Sequence, residues 1–205
     1  MTETLNYLEK SHILMDIQHL LLLIFWITYG LIHSVMASSV VKHYFHSKLR
    51  FSPALYRLFY NIVAFLGLAG LIFYQFSIKT TQLVAFQSWM WILFFIIFVP
   101  GVALMFDSIR KYFRQMSGLT NQQPVLVTEG PHRYIRHPLY AGTFLFIISL
   151  LILMPTLANL ISVIVIISYT LIAIRFEEKK LVEQFGDVYK DYQQNVPMII
   201  PRIKS

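Results

Sequence analysis

The sequence predicts an all-α fold: an integral membrane helical bundle with about five transmembrane helices, the last two a tight hairpin, followed by a cytoplasmic C-terminal helix. Three observations carry this. The 205 residues are 57% hydrophobic and 13% charged, about half the charged share of a soluble globular chain. The apolar residues fall into blocks long enough, or nearly so, for the roughly 20 helical residues that cross a hydrocarbon core. Fifteen of the seventeen Lys and Arg lie in three regions, 42–57, 107–138 and 175–205, as expected of loops held on the cytoplasmic side.

The first block, Ile13–Val41, starts too late and runs too long for a cleaved signal peptide. Leu55–Phe76 and Phe86–Phe106 follow. Leu139–Met154 and Thr156–Ile174 are shorter and separated by Met154-Pro155; proline inside a helix removes a hydrogen bond, so this pair reads as a hairpin. Five spans leave the termini on opposite sides, the N-terminus outside and the C-terminus cytoplasmic, with only Lys10 and Lys79 outside the basic regions. The net charge of +7 is then accounted for by topology and by anionic headgroups. The expected partner is the lipid bilayer, and no nucleic acid is required. Cysteine is absent, which excludes disulfides, thiolate metal sites and Cys nucleophiles, and no metal site is expected. Without repeats or a boundary, the chain reads as a single domain over 1–205. Residues 1–112 carry three spans, and 113–205 carry a loop, the hairpin and the C-terminal helix.

Polar chemistry gathers in two stretches, "LVTEGPHRYIRHPLYAG" before the fourth span and "IRFEEKKLVEQFGDVYKDYQQNVPMIIPRI" after the fifth. A tight hairpin brings them together, so they can form one site. Gly130-Pro131 punctuates a turn. Pro138 suits the first helical position, where its missing N–H costs nothing. His137 then stands at a helix mouth, where free N–H groups and the positive dipole end favour a carboxylate. Tyr134 and Tyr140 could flank an aromatic ligand, and Gly142 permits close backbone approach. The competing reading is that Arg, His and Tyr gather at membrane interfaces as anchors. That reading is preferred for Arg133 and Arg136, and function for His137, Pro138 and Tyr140.

In the second stretch, Glu177 and Glu178 stand where the last span leaves the bilayer. Acids at this depth need partners and are functional candidates. Alternatively the helix continues into water, with Arg175 reaching Glu178 or Lys179 at helical spacing; this weighs as much as function for Glu178 and less for Glu177. Leu181, Val182, Phe185, Tyr189 and Tyr192 form an apolar stripe suited to packing or the membrane surface.

Together these stretches resemble the integral-membrane methyltransferases of the isoprenylcysteine carboxyl methyltransferase and phospholipid methyltransferase superfamily. The Arg-His-Pro-x-Tyr-x-Gly block and the Glu-Glu, Phe-Gly, Tyr and Val-Pro series match in order and spacing over roughly the last 80 residues. "GLIHSVMAS" and "ALYRLFYN" are similar to a bacterial, methanethiol methyltransferase-like branch, which implies a bacterial inner (plasma) membrane. The resemblance implies S-adenosylmethionine as cofactor, contacted by Pro124, Val125, Leu126, Val127, His132, His137, Pro138, Leu139, Tyr140 and Glu177. Arg175, Glu178 and His33 are the catalytic candidates. His33 can serve as a base or as a helix-to-helix hydrogen-bonding partner.

Two departures bear on the acceptor. Carboxyl-methylating members usually carry Tyr at the position of His132, and an Arg one helical turn before the Glu, where this chain has Ala173. That Arg would match an acceptor carboxylate, and Arg175 leaves the helix about 200° away from the Ala173 direction. The expected activity is methyl transfer to a lipophilic or small membrane-accessible acceptor, a thiol, carboxylate or amine. A non-catalytic membrane protein retaining the fold is the alternative. A transporter is disfavoured by the scarcity of charge in the spans and the lack of an inverted repeat.

Overall fold

The computed structural model describes residues 2–116 and 125–202; of the expected site residues, Pro124 lies outside them. Among these residues seven α-helices follow one another: α1 (Thr2–Ala37), α2 (Ser39–Ser47), α3 (Pro53–Ser77), α4 (Trp89–Met116), α5 (Pro138–Leu153), α6 (Leu157–Phe185) and α7 (Asp187–Asn195), with a 3₁₀ turn at Gly130–Arg133. Among the described residues, four segments are long and apolar enough to cross a membrane: Met15–Ala37, Pro53–Ser77, Trp89–Arg110 and Leu157–Phe185. The apolar α5, at 16 residues, is about 24 Å long, short of the roughly 30 Å hydrocarbon core.

Local chemistry sets the ends. The first span stops at Ala37 rather than Val41, because the Ser38 hydroxyl accepts from Val41 N–H and starts α2. Ser52 caps α3 in the same way, with Pro53 at the first position. The α5–α6 break falls at Met154-Pro155, and Thr156 Oγ1 accepts from Asn159 N–H at 3.2 Å to begin α6. That helix does not stop at Ile174. It runs on through Glu177 and Glu178 to Phe185, where Gly186 at φ 58° turns the chain into α7. Only glycine adopts that backbone without strain, so the expected apolar stripe is divided between two helices.

The described residues form two compact units, Met1–Val84 with Thr156–Ile166, and Ala85–Pro155 with Ile167–Ser205. In the first, Leu22, Trp26, Leu71, Ile78 and Ala158 make a buried core, stitched by polar groups. Trp26 Nε1 donates to Ser162 Oγ at 2.8 Å, Ser162 Oγ donates to Gln75 Oε1 at 2.6 Å, and Gln75 Nε2 donates to Asn159 Oδ1 at 2.5 Å. His19 Nδ1 donates to Met15 O at 2.7 Å, so its Nε2 accepts from Thr80 Oγ1 at 3.0 Å. Large apolar side chains such as Phe65 and Phe73 point outward, more than 70% exposed. In lipid such faces need no cover, while polar side chains must find partners inside.

In the second unit, α4 and α5 meet backbone to backbone. A Cβ on Gly142 would lie 2.7 Å from Gly101 O and 3.0 Å from Met105 N, and one on Gly101 would lie 3.0 Å from Gly142 O. The close approach expected of Gly142 is made by a neighbouring helix.

Candidate active site

The loop that leads into α5 is shaped by its own sequence. Gly130 at φ 64° and the fixed φ of Pro131 start the 3₁₀ turn, and Pro131 O accepts from Tyr134 N–H and Ile135 N–H at 3.0 and 3.1 Å. Ile135 is buried and anchors the loop. His137 is the N-cap residue of α5, with Pro138 opening the helix, as the sequence predicts. The tail runs alongside: Arg136 N–H donates to Pro197 O at 2.9 Å and His137 N–H to Met198 O at 3.0 Å. His132 is buried; its Nδ1–H donates to Arg136 O at 3.1 Å, and its own carbonyl accepts from the Tyr192 hydroxyl.

At the centre stands Glu178. Its Oε1 accepts from Arg136 Nε at 2.7 Å, from His137 Nε2 at 3.0 Å and, at 3.5 Å, from the Tyr189 hydroxyl. Its Oε2 accepts from Gln193 Nε2 at 3.1 Å. The Arg136 guanidinium also reaches past the carboxylate: Nη1 donates to Gln193 O at 3.0 Å and to Val196 O, the open carbonyls at the end of α7. A cation at a helix C-terminus satisfies both hydrogen bonding and the dipole. Burial, and then the Glu178 carboxylate, hold the Tyr189 phenol above its ordinary range, so it stays a neutral donor. Glu178 therefore ties the loop, the end of α6 and α7 into one body.

Glu177 has a different environment. The Tyr140 hydroxyl donates to its Oε2 at 2.9 Å, and among the described residues its other oxygen accepts no hydrogen bond. Tyr140 stacks on the His137 ring at 5.7 Å between centroids and 28° between planes. The N–H of Leu139 lies in the first turn of α5, ahead of the bond from Ala141 N–H to His137 O. Val125, Leu126 and Val127 lie in the irregular segment before the turn, Val125 exposed and the other two half-buried.

The structure thus brings together His132, His137, Tyr140, Glu177 and Glu178. Arg175 is exposed and is not among the groups bonded to Glu178, so the local Arg175–Glu178 pairing does not form. His33 belongs to the first unit, where its Nε2 is 2.7 Å from the Tyr60 hydroxyl and its ring lies between Tyr29 and Tyr60. A cleft of about 100 Å³ lies there, lined by Tyr29, His33, Tyr60 and Gly67 among others. Sequence reasoning missed Arg136, read as an interfacial anchor, together with Tyr189 and Gln193. The available signal was the requirement that an acid pair at this depth have cationic partners.

Residues 97–188 match the model of the family described as Phospholipid methyltransferase. The chain is 44% identical over 72 residues to a Methanethiol S-methyltransferase of Crocosphaera subtropica, covering 35% of this chain and 28% of that protein. It is 33% identical over 89 residues to Methanethiol S-methyltransferase 2 of Bradyrhizobium diazoefficiens, covering 43% and 32%. It is 36% identical over 84 residues to a Protein-S-isoprenylcysteine O-methyltransferase of Schizosaccharomyces pombe, covering 40% and 36%. The matches span about a third of the length of these relatives. No solved structure matches the chain significantly. The resemblance read from the sequence is borne out, and the residues that match the family model hold the loop, α5 and the paired glutamates.

Proposed function

We propose that the chain is an integral-membrane methyltransferase that uses S-adenosylmethionine to methylate a small or lipophilic thiol. The observation that carries this is the Glu177–Tyr140 pair, two side chains 37 positions apart joined at 2.9 Å beside the mouth of α5, inside residues 97–188 that match the Phospholipid methyltransferase family model.

The residues present fit the cofactor. A helix N-terminus with the Leu139 N–H in its first turn suits the methionine carboxylate. The open oxygen of Glu177 suits the ammonium or a ribose hydroxyl, with Val125, Leu126, Val127 and the Tyr140 ring as apolar walls. When bound, S-adenosylmethionine supplies a methyl group on a sulfonium whose leaving group is a neutral thioether. The protein's own work is then chiefly to hold two reactants in line. Tyr140 fixes the Glu177 carboxylate, and Glu178, its oxygens taken up by four protein donors, acts as a positioning group that holds His137 and the loop. His132 supports the loop from beneath. For His33, the Tyr60 hydrogen bond favours the helix-to-helix role over that of a base.

Three features favour the thiol. Two of the similar proteins are named for methanethiol, Ala173 stands where the resemblance to carboxyl-methylating members implies Arg, and α6 runs unbroken through this region, so Arg175 is not swung round to replace it. With the short apolar α5 crossing as one arm of the hairpin, the basic regions support an N-terminus outside and a cytoplasmic C-terminus.

Isothermal calorimetry with S-adenosylmethionine, followed by mass spectrometry of a short alkyl thiol and a prenylcysteine analogue incubated with labelled cofactor, tests the reading. Binding with thiol methylation is expected. Absence of binding would leave a non-catalytic membrane protein of the same fold, and carboxyl methylation in place of thiol methylation would overturn the acceptor.

A further inference from the structure

The connection between the first two spans, residues 38–52, joins Met15–Ala37 to Pro53–Ser77 and so lies at a membrane surface. It holds α2, nine residues of which none is buried. At about 100° per residue, Val41 and Phe45 share one side. Phe45 packs there on Phe51, Tyr56 and Phe59, with ring centroids 5.3, 5.0 and 5.7 Å away. Val40 and Tyr44, 76% and 54% exposed, share a second side, and the exposed Lys42 leaves the helix roughly opposite them.

Charge here is one-sided. No Asp or Glu occurs from Ile17 to Phe106, while Lys42, Lys48 and Arg50 sit within nine positions. All three are exposed, and among the described residues they join no ion pair. The turn after α2 is tightly held: Lys48 N–H donates to Tyr44 O at 2.9 Å, Phe51 N–H to Phe45 O at 3.1 Å and His46 Nδ1–H to Phe51 O at 2.6 Å. The chain reverses here through a left-handed residue, a position at helix ends usually taken by glycine. Arg50 occupies it at φ 53°, the one non-glycine residue at positive φ among those described. Backbone strain of that kind points to a use for the side chain.

We infer that α2 and its closing turn form an anionic-phospholipid site, with Lys42, Lys48 and Arg50 on the headgroup phosphates and Val40, Tyr44 and Leu49 seated among the upper acyl chains. The occupant is the lipid of the leaflet in which the helix lies: cations answer its phosphate, and the exposed apolar side chains answer its hydrocarbon, which free phosphate does not offer.

The test is native mass spectrometry of the full-length, delipidated protein in neutral detergent, titrated with phosphatidylglycerol or phosphatidylcholine. The parent should retain phosphatidylglycerol preferentially. The triple variant Lys42→Gln, Lys48→Gln, Arg50→Gln should lose that preference by on the order of a hundredfold at low salt, less as salt rises. A Lys179→Gln, Lys180→Gln control should keep it. Arg50→Gly should raise the thermal midpoint by relieving the left-handed strain, yet weaken phosphatidylglycerol retention. An unchanged preference in the triple variant overturns the site, as does displacement of the lipid by millimolar phosphate. A lowered midpoint in Arg50→Gly overturns the strain argument that singles out Arg50.

Discussion

Replacing Glu178 with Gln should unsettle the fold of the second unit before it affects any chemistry. The Glu178 and Arg136 side chains are 13% and 10% exposed, so the pair is largely out of water. A glutamine in this place would keep one acceptor oxygen but lose the charge, leaving the Arg136 cation buried against carbonyl groups alone and putting an amide against His137 and Gln193. Breaking a buried pair from one side costs about 3 kcal/mol, which for a chain of this size lowers the thermal midpoint by roughly 6–12 °C. The exposed pair Lys190–Asp187, at 2.8 Å with side chains 56% and 90% exposed, is the control: Asp187→Asn should leave the midpoint unchanged. The assay is tryptophan-fluorescence melting in detergent, with the double variant Glu178→Gln, Arg136→Met included. If the two residues act as a unit, the double variant should be less destabilised than the sum of the singles by on the order of 1–3 kcal/mol. A Glu178→Gln midpoint indistinguishable from that of Asp187→Asn would refute the reading of Glu178 as the tie between loop, α6 and α7.

Glu177→Gln should melt like the parent but bind S-adenosylmethionine roughly tenfold or more weakly by calorimetry, the loss of one charge-assisted hydrogen bond; Tyr140→Phe should weaken binding a few-fold. Gly142→Ala places a methyl 2.7 Å from Gly101 O and should cost about 1–3 kcal/mol by overpacking, read as a lower melting midpoint, whereas Gly70→Ala, with open space around it, should not. Ala173→Arg should add carboxyl methylation of a prenylcysteine analogue, and Arg175→Ala should leave thiol methylation intact; loss of activity in the latter would restore Arg175 to the catalytic set. Tags at the N-terminus and in the 77–85 loop should be reached by an impermeant reagent from outside, and tags at 48, 118 and 205 should be protected; the reverse pattern would invert the topology.

What the sequence alone determined was local or additive. Hydropathy summed over about twenty residues marks a span because each residue's transfer into lipid adds to its neighbours', and the four spanning segments and the apolar α5 fall where those sums predict. Met154-Pro155 broke the hairpin, and His137-Pro138 opened α5, because proline's fixed φ and missing N–H act within one turn. The grouping of His137, Tyr140 and Glu177 was legible too, since the hairpin returns the end of α6 to the start of α5. Tertiary structure decided the partners. Nothing within four residues of Arg136 distinguishes an interfacial anchor from a buried clamp; what distinguishes them is Glu178, 42 positions away, and the carbonyl groups at the end of α7, about 60 away. Likewise Gly142 carries permission for close approach, but that the approaching group is Gly101 depends on how α4 and α5 cross. Gly186 could have lain within a continued helix or ended one. Its left-handed backbone swings Tyr189 and Gln193 onto Glu178, a choice set by the energy of that packed cluster and not by the sequence around the glycine.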